Sequence, residues 1–162
     1  MTGAGAAAER CTGCGRPIAG GTAACRADFE ELVGRDFSDV RYGRVHRTFV
    51  DVYALQHPDA YCASAKSLAA HLMGVCWALE QRAPMAVGPE ALRAWLDGPS
   101  RLPRPEPPAF RGALTLADVR GARDPLEHVE LVERWARSTW EAWAPLHETA
   151  REWMRQALEA DR

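Results

Sequence analysis

The sequence predicts a mainly α fold, a small helical bundle with a cysteine knuckle at its N-terminal end and a proline-rich strap. Three observations predict it. Apolar residues recur at steps of three and four over most of the 162 residues, and no sustained alternating run would build a sheet. Cys11-Thr12-Gly13-Cys14-Gly15, followed by Cys25, supplies most of a thiolate metal site. The segment from residue 98 to 112 holds Pro99, Pro103, Pro105, Pro107 and Pro108, which exclude a helix or a central strand there. A chain of this length buries roughly two-thirds of its unfolded surface, so a metal is not needed for size alone.

Residues 1–8 lack a basic start and a long apolar run, and they read as a disordered tip ahead of a single domain spanning 9–162. The knuckle occupies 9–26, where Gly, Cys and small residues dominate. A first helix is expected from about residue 27, with Phe29, Leu32, Val33 and Phe37 at helical spacing. Asp36 and Ser38-Asp39 supply turn and capping chemistry. The second helix, 41–56, puts His46, Val50, Tyr53 and His57 on one stripe, and Pro58 closes it.

Residues 64–81 form the clearest helix, with Leu68, His71, Leu72, Val75, Cys76 and Leu79 on its apolar face and Ser64 as its cap. A short helix follows over 89–96, completing a helical region that runs to residue 97. After the strap at 98–112, C-terminal helices cover 113–160. Val129, Val132, Ala136, Trp140, Trp143, His147, Ala150 and Met154 share a stripe there, broken by Pro145.

Net charge is −2 with acids and bases interspersed, which disfavours nucleic acid as a partner. No apolar run approaches the roughly 18 residues needed to cross a bilayer. The expectation is a cytoplasmic protein whose five cysteines are reduced thiols or metal ligands.

Zinc takes four tetrahedral ligands of thiolate and imidazole type. Cys11, Cys14 and Cys25 provide three. If the first two helices are antiparallel neighbours joined by the turn near Ser38, Cys25 lies beside His57 at the end of the second. His46 sits about 16 Å away along that helix at 1.5 Å per residue. His57 is therefore the expected fourth ligand, with Cys62, in the following loop, as runner-up. Cys76 reads as a small core residue.

His46, His71 and His147 lie on apolar stripes of three separate helices, and imidazoles converging inside a bundle can hold a catalytic metal. Each also reads as a hydrogen-bonded core histidine. Asp51 and Tyr53 are placed either to orient an imidazole or to serve as acid and base, although Asp51 lies off the His46 stripe, a position that also suits a residue facing water. Ser64-Ala65-Lys66-Ser67 matches a serine–lysine spacing found in hydrolases, but at a helix start the serine caps and the lysine is solvated. Trp135, Trp140, Trp143 and Trp153 crowd the last helical region, where they supply core or a homodimer contact.

The cysteine knuckle, the string from His46 to Pro58 with its Val-Asp-x-Tyr-x-x-Gln-His-Pro core, the Ser67 to Leu72 segment, and Trp140-Glu141-Ala142-Trp143 with His147 together resemble a family of small uncharacterised bacterial proteins carrying a domain of unknown function. That resemblance spans most of the chain and implies no activity. A bundle with histidines on separate helices also looks, at the level of fold, like the metal-dependent bundle superfamily that includes thiol transferases, from which the knuckle sets this chain apart. Two functional classes follow. One is a zinc-stapled binding or accessory protein with a small-molecule or protein partner. The other is a metal-dependent hydrolase or group transferase using His46, His71 and His147.

Overall fold

The computed structural model describes residues 8–81, 88–99 and 101–161, and the reading of a disordered tip falls almost wholly outside them. Among the described residues there are helices and one isolated bridge, Arg10 with Pro17, and no β-strand. No helix there is long and apolar enough to cross a membrane.

The first helix, α1 (Gly21–Ser38), begins a turn and a half before the apolar periodicity does. Its extra residues, Thr22, Ala23 and Ala24, are small and carry no periodic signal, yet small side chains leave nothing to oppose helix. Its buried face is Cys25, Phe29, Leu32 and Asp36, at steps of four, three and four. The expected helix over 41–56 is two pieces, α2 (Val40–Gly43) and α3 (His46–Gln56), separated by a turn at Arg44 and Val45. Asp39 starts α2 by accepting a hydrogen bond from the Arg41 backbone N–H at 2.9 Å.

α3 is the axis of the fold, with every residue from Phe49 to Gln56 buried except Val50. It packs against two later helices, α5 (Ala65–Cys76) and α8 (Pro125–Ala142). Pro58 ends α3 and opens the single turn α4 (Pro58–Tyr61). Ser64 caps α5 reciprocally with Ser67, and a π-helical turn, Trp77–Gln81, extends α5 toward its expected end. α6 (Gly88–Asp97) and α9 (His147–Ala160) pack together beside α5. A capping box of Thr115 and Asp118 sets α7 (Leu116–Arg120), which bridges α1 and α8. Pro145 lies in a 3-10 turn, Ala144–Leu146, which splits α8 from α9 as the proline requires.

The strap has no helix among its described residues, and side chains tie it down. Gln56, buried at the end of α3, donates its amide N–H groups to the carbonyls of Arg111 at 3.1 Å and Leu114 at 2.8 Å. Arg104 donates to the Cys62 carbonyl at 3.0 Å, and Arg111 reaches the knuckle, donating to the Gly13 carbonyl at 2.9 Å. An extended segment that pairs with nothing through its own ladder is thus held by long side chains at both ends.

Candidate metal centre

The knuckle is a tight backbone loop. The Gly15 N–H donates to the Cys11 carbonyl at 2.8 Å and the Cys11 N–H to the Arg16 carbonyl at 3.0 Å, which turns both sulfurs inward. Gly15 holds φ at +75°, a conformation side chains rarely adopt. Gly13 answers a different need: a Cβ there would overlap the His57 ring. Gly13→Ala is therefore expected to displace the imidazole and lower metal content well below that of the wild type, measured by elemental analysis. Full metal occupancy in that variant would contradict the packing.

α1 carries Cys25 to the knuckle on its second turn, and the C-terminal end of α3 delivers His57. One ligand atom from each of Cys11, Cys14, Cys25 and His57 lies within 4.8 Å of all the others. His57 Nε2 is 3.3 Å from the Cys11 sulfur and 3.6 Å from the Cys25 sulfur, and the Cys14 and Cys25 sulfurs are 3.9 Å apart. Ligands about 2.0 to 2.3 Å from a tetrahedral ion sit about 3.5 to 3.8 Å from one another, so the spacing fits a single four-coordinate metal. Cys11, Cys25 and His57 are buried and Cys14 is half-buried.

His57 is oriented for this role. Its Nδ1–H donates to the Tyr53 carbonyl at 2.7 Å, leaving the Nε2 lone pair for a metal. The Tyr53 ring stacks on the imidazole with centroids 3.9 Å apart, and its hydroxyl points at the Cys25 sulfur from 3.9 Å. Tyr53 thus orients an imidazole, one of the two roles its position suggested.

The electrostatics suit a cation. The hydrogen bond from Cys14 lowers Cys25 to about 3, His57 and the Arg16 charge act in the same direction, and burial opposes them. Cys14 is driven strongly upward by that same hydrogen bond to the Cys25 thiolate, by burial and by the neighbouring sulfurs. One negative sulfur suppresses ionisation of the next in a buried site. A bound cation removes that conflict and allows all the sulfurs to ionise.

Cys62 is buried elsewhere: its thiol faces the Ala54 carbonyl at 3.6 Å, and burial pushes it up to about 12. Burial likewise raises Cys76 to about 12, as suits a core thiol. The imidazole, not Cys62, completes the cluster.

His46, His71 and His147 occupy three separate settings. His46 Nδ1 lies 3.0 Å from the Asp36 carboxylate, and His71 Nδ1 lies 2.8 Å from Asp51. His147 stacks on Trp140 and donates Nε2–H to the Trp140 carbonyl at 2.7 Å. The cysteine site is the one cluster of three or more side chains placed to hold a metal ion among the described residues. Asp51, far from facing water, is fully buried and also accepts from Arg47 at 2.8 Å.

A histidine that no stripe had singled out, His128, is fully buried. Its Nε2 is 3.1 Å from the second Asp36 oxygen, and Arg35 donates to its Nδ1 at 2.8 Å. The signal for it was the spacing His128, Val132, Trp135, Thr139, the core stripe of α8.

No curated protein and no solved structure gives a significant match to the chain. The model of a family of unknown function, DUF5946, matches residues 9–144, which take in the knuckle, both helices that complete the site, the strap and α8. The chain belongs to that family of unknown function, DUF5946.

Proposed function

We propose that this protein is a zinc-stapled helical binding or accessory protein, in which the metal joins the knuckle to α1 and α3 and leaves the bundle surface to recognise a partner. The observation that carries this reading is the closed ligand set. Four protein side chains within 4.8 Å, mostly buried, fill a tetrahedral shell and leave no position for substrate. Zinc is favoured over harder cations because the donors are soft thiolates and an imidazole, with no carboxylate or carbonyl oxygen among them.

The hydrolase or group-transferase reading needs a second metal held by His46, His71 and His147. Their separate hydrogen-bond partners weigh against it. Elemental analysis of the purified chain separates the two. One tightly held zinc per chain is expected, and a second, weaker, exchangeable metal would favour the enzyme. A metal-free protein that folds normally would overturn both.

A further inference from the structure

A groove of about 650 Å³ runs between α3, α5 and α6, and none of its lining residues belongs to the metal site. Its volume falls in the range of small-molecule sites. The apolar lining comes from Ala70, Trp77, Leu92 and Leu96. Arg44, Arg47, Lys66 and Arg93 add four positive charges, against two acids, Glu90 and Asp97, a surplus of +2 in a protein whose net charge is −2.

Some of these charges are already engaged. Arg93 faces Asp97 at 3.8 Å, and Lys66 donates to the Gly98 carbonyl at 2.6 Å. Arg47 is held from behind. Its Nε donates to the fully buried Asp51, whose other oxygen lies on His71, and the absence of a side chain at Gly74 lets that carboxylate lie against α5. The buried carboxylate fixes the Arg47 guanidinium while its two Nη groups remain to meet a ligand, a fork suited to a carboxylate or phosphate. Arg44, one turn of chain earlier, lines the same groove.

We propose that this groove binds a small amphipathic organic anion, with its acidic head on Arg44 and Arg47 and its apolar body against Trp77, Leu92 and Leu96. The head is a carboxylate or a phosphate, and the apolar body is what distinguishes the ligand from a free inorganic anion.

Isothermal titration of the zinc-loaded full chain with decanoate and decyl phosphate, below their micelle concentrations, and with 1-decanol, below its solubility limit, tests the assignment. Saturable one-to-one binding of at least one of the two anions is expected, with 1-decanol at least about tenfold weaker, since that factor is what one well-placed charged contact supplies. The tighter of the two anions identifies the head group. Arg44→Glu should weaken the anions by about tenfold or more and leave 1-decanol unchanged. Leu96→Asp should weaken all three. Equal affinity for the alcohol and the acids, anion binding unaltered by Arg44→Glu, or no saturable binding in a protein of full metal content would overturn the proposal. Metal content measured on the same sample keeps this outcome separate from any failure of the zinc reading.

Discussion

Cys11→Ser is expected to abolish metal binding and to lower the melting temperature by roughly 10 °C. A structural zinc contributes its binding energy to folding, on the order of 10 kcal/mol in domains that have no other core. Here the bundle has a core of its own, so about 3 to 5 kcal/mol is the expected loss, at roughly 2 to 4 °C per kcal/mol for a chain of this size. The knuckle is where that loss acts. Without the ion, Cys11 and Cys14 no longer connect the loop to Cys25 on α1 and His57 on α3, and the strap loses the Gly13 carbonyl that Arg111 holds. A zinc-free variant that melts with the wild type would show that the metal carries no structural load.

Trp135→Ala is expected to cost about 4 to 8 kcal/mol and to leave the protein largely unfolded at 37 °C. Removing a fully buried tryptophan costs about 3 to 5 kcal/mol in lost burial and cavity formation. Trp135 is fully buried on α8, with its ring edge-on to Phe49 at 5.7 Å. Its indole N–H also donates to the Gln56 Oε1 at 3.1 Å, so the variant leaves a buried acceptor unpaired, worth about 1 to 3 kcal/mol more. Gln56 also fastens the strap through the Arg111 and Leu114 carbonyls, and thermal or urea unfolding should therefore show the strap and α8 failing together. A loss below about 2 kcal/mol would contradict the account of α3 as the axis of the fold.

Much of the site was legible because it depends on short-range geometry. The Cys-x-x-Cys spacing fixes two ligands within one loop. The short connection through α2 folds α3 back along α1, where Phe29 stacks on Tyr53 with ring centroids 3.8 Å apart, and this brings Cys25 to His57. The proline positions likewise gave the strap, the end of α3 and the break before α9.

The polar core was not legible. Asp36 continues the stripe of Cys25, Phe29 and Leu32, but an aspartate near a helix end reads as turn chemistry until His128 is known to approach from α8. Asp51 sits off the apolar stripe of α3, yet α5 covers it, and only the pairing with Arg47 and His71 makes its burial tolerable. Arg47 lies one helical turn from Asp51, but the Asp51–His71 and Asp36–His128 pairings join different helices, and no local periodicity encodes them. The same limit applies to His46, His71 and His147, whose stripes were visible while their partners were not.

X-ray absorption at the zinc edge of the purified protein reads the ligand set of three sulfurs and one imidazole without reference to stability or activity. The expected spectrum shows a first shell of three sulfurs at about 2.3 Å and one nitrogen at about 2.0 Å, with the outer-shell scattering of a single imidazole ring. A shell of four sulfurs, or one dominated by oxygen and nitrogen with an exchangeable water, would contradict it.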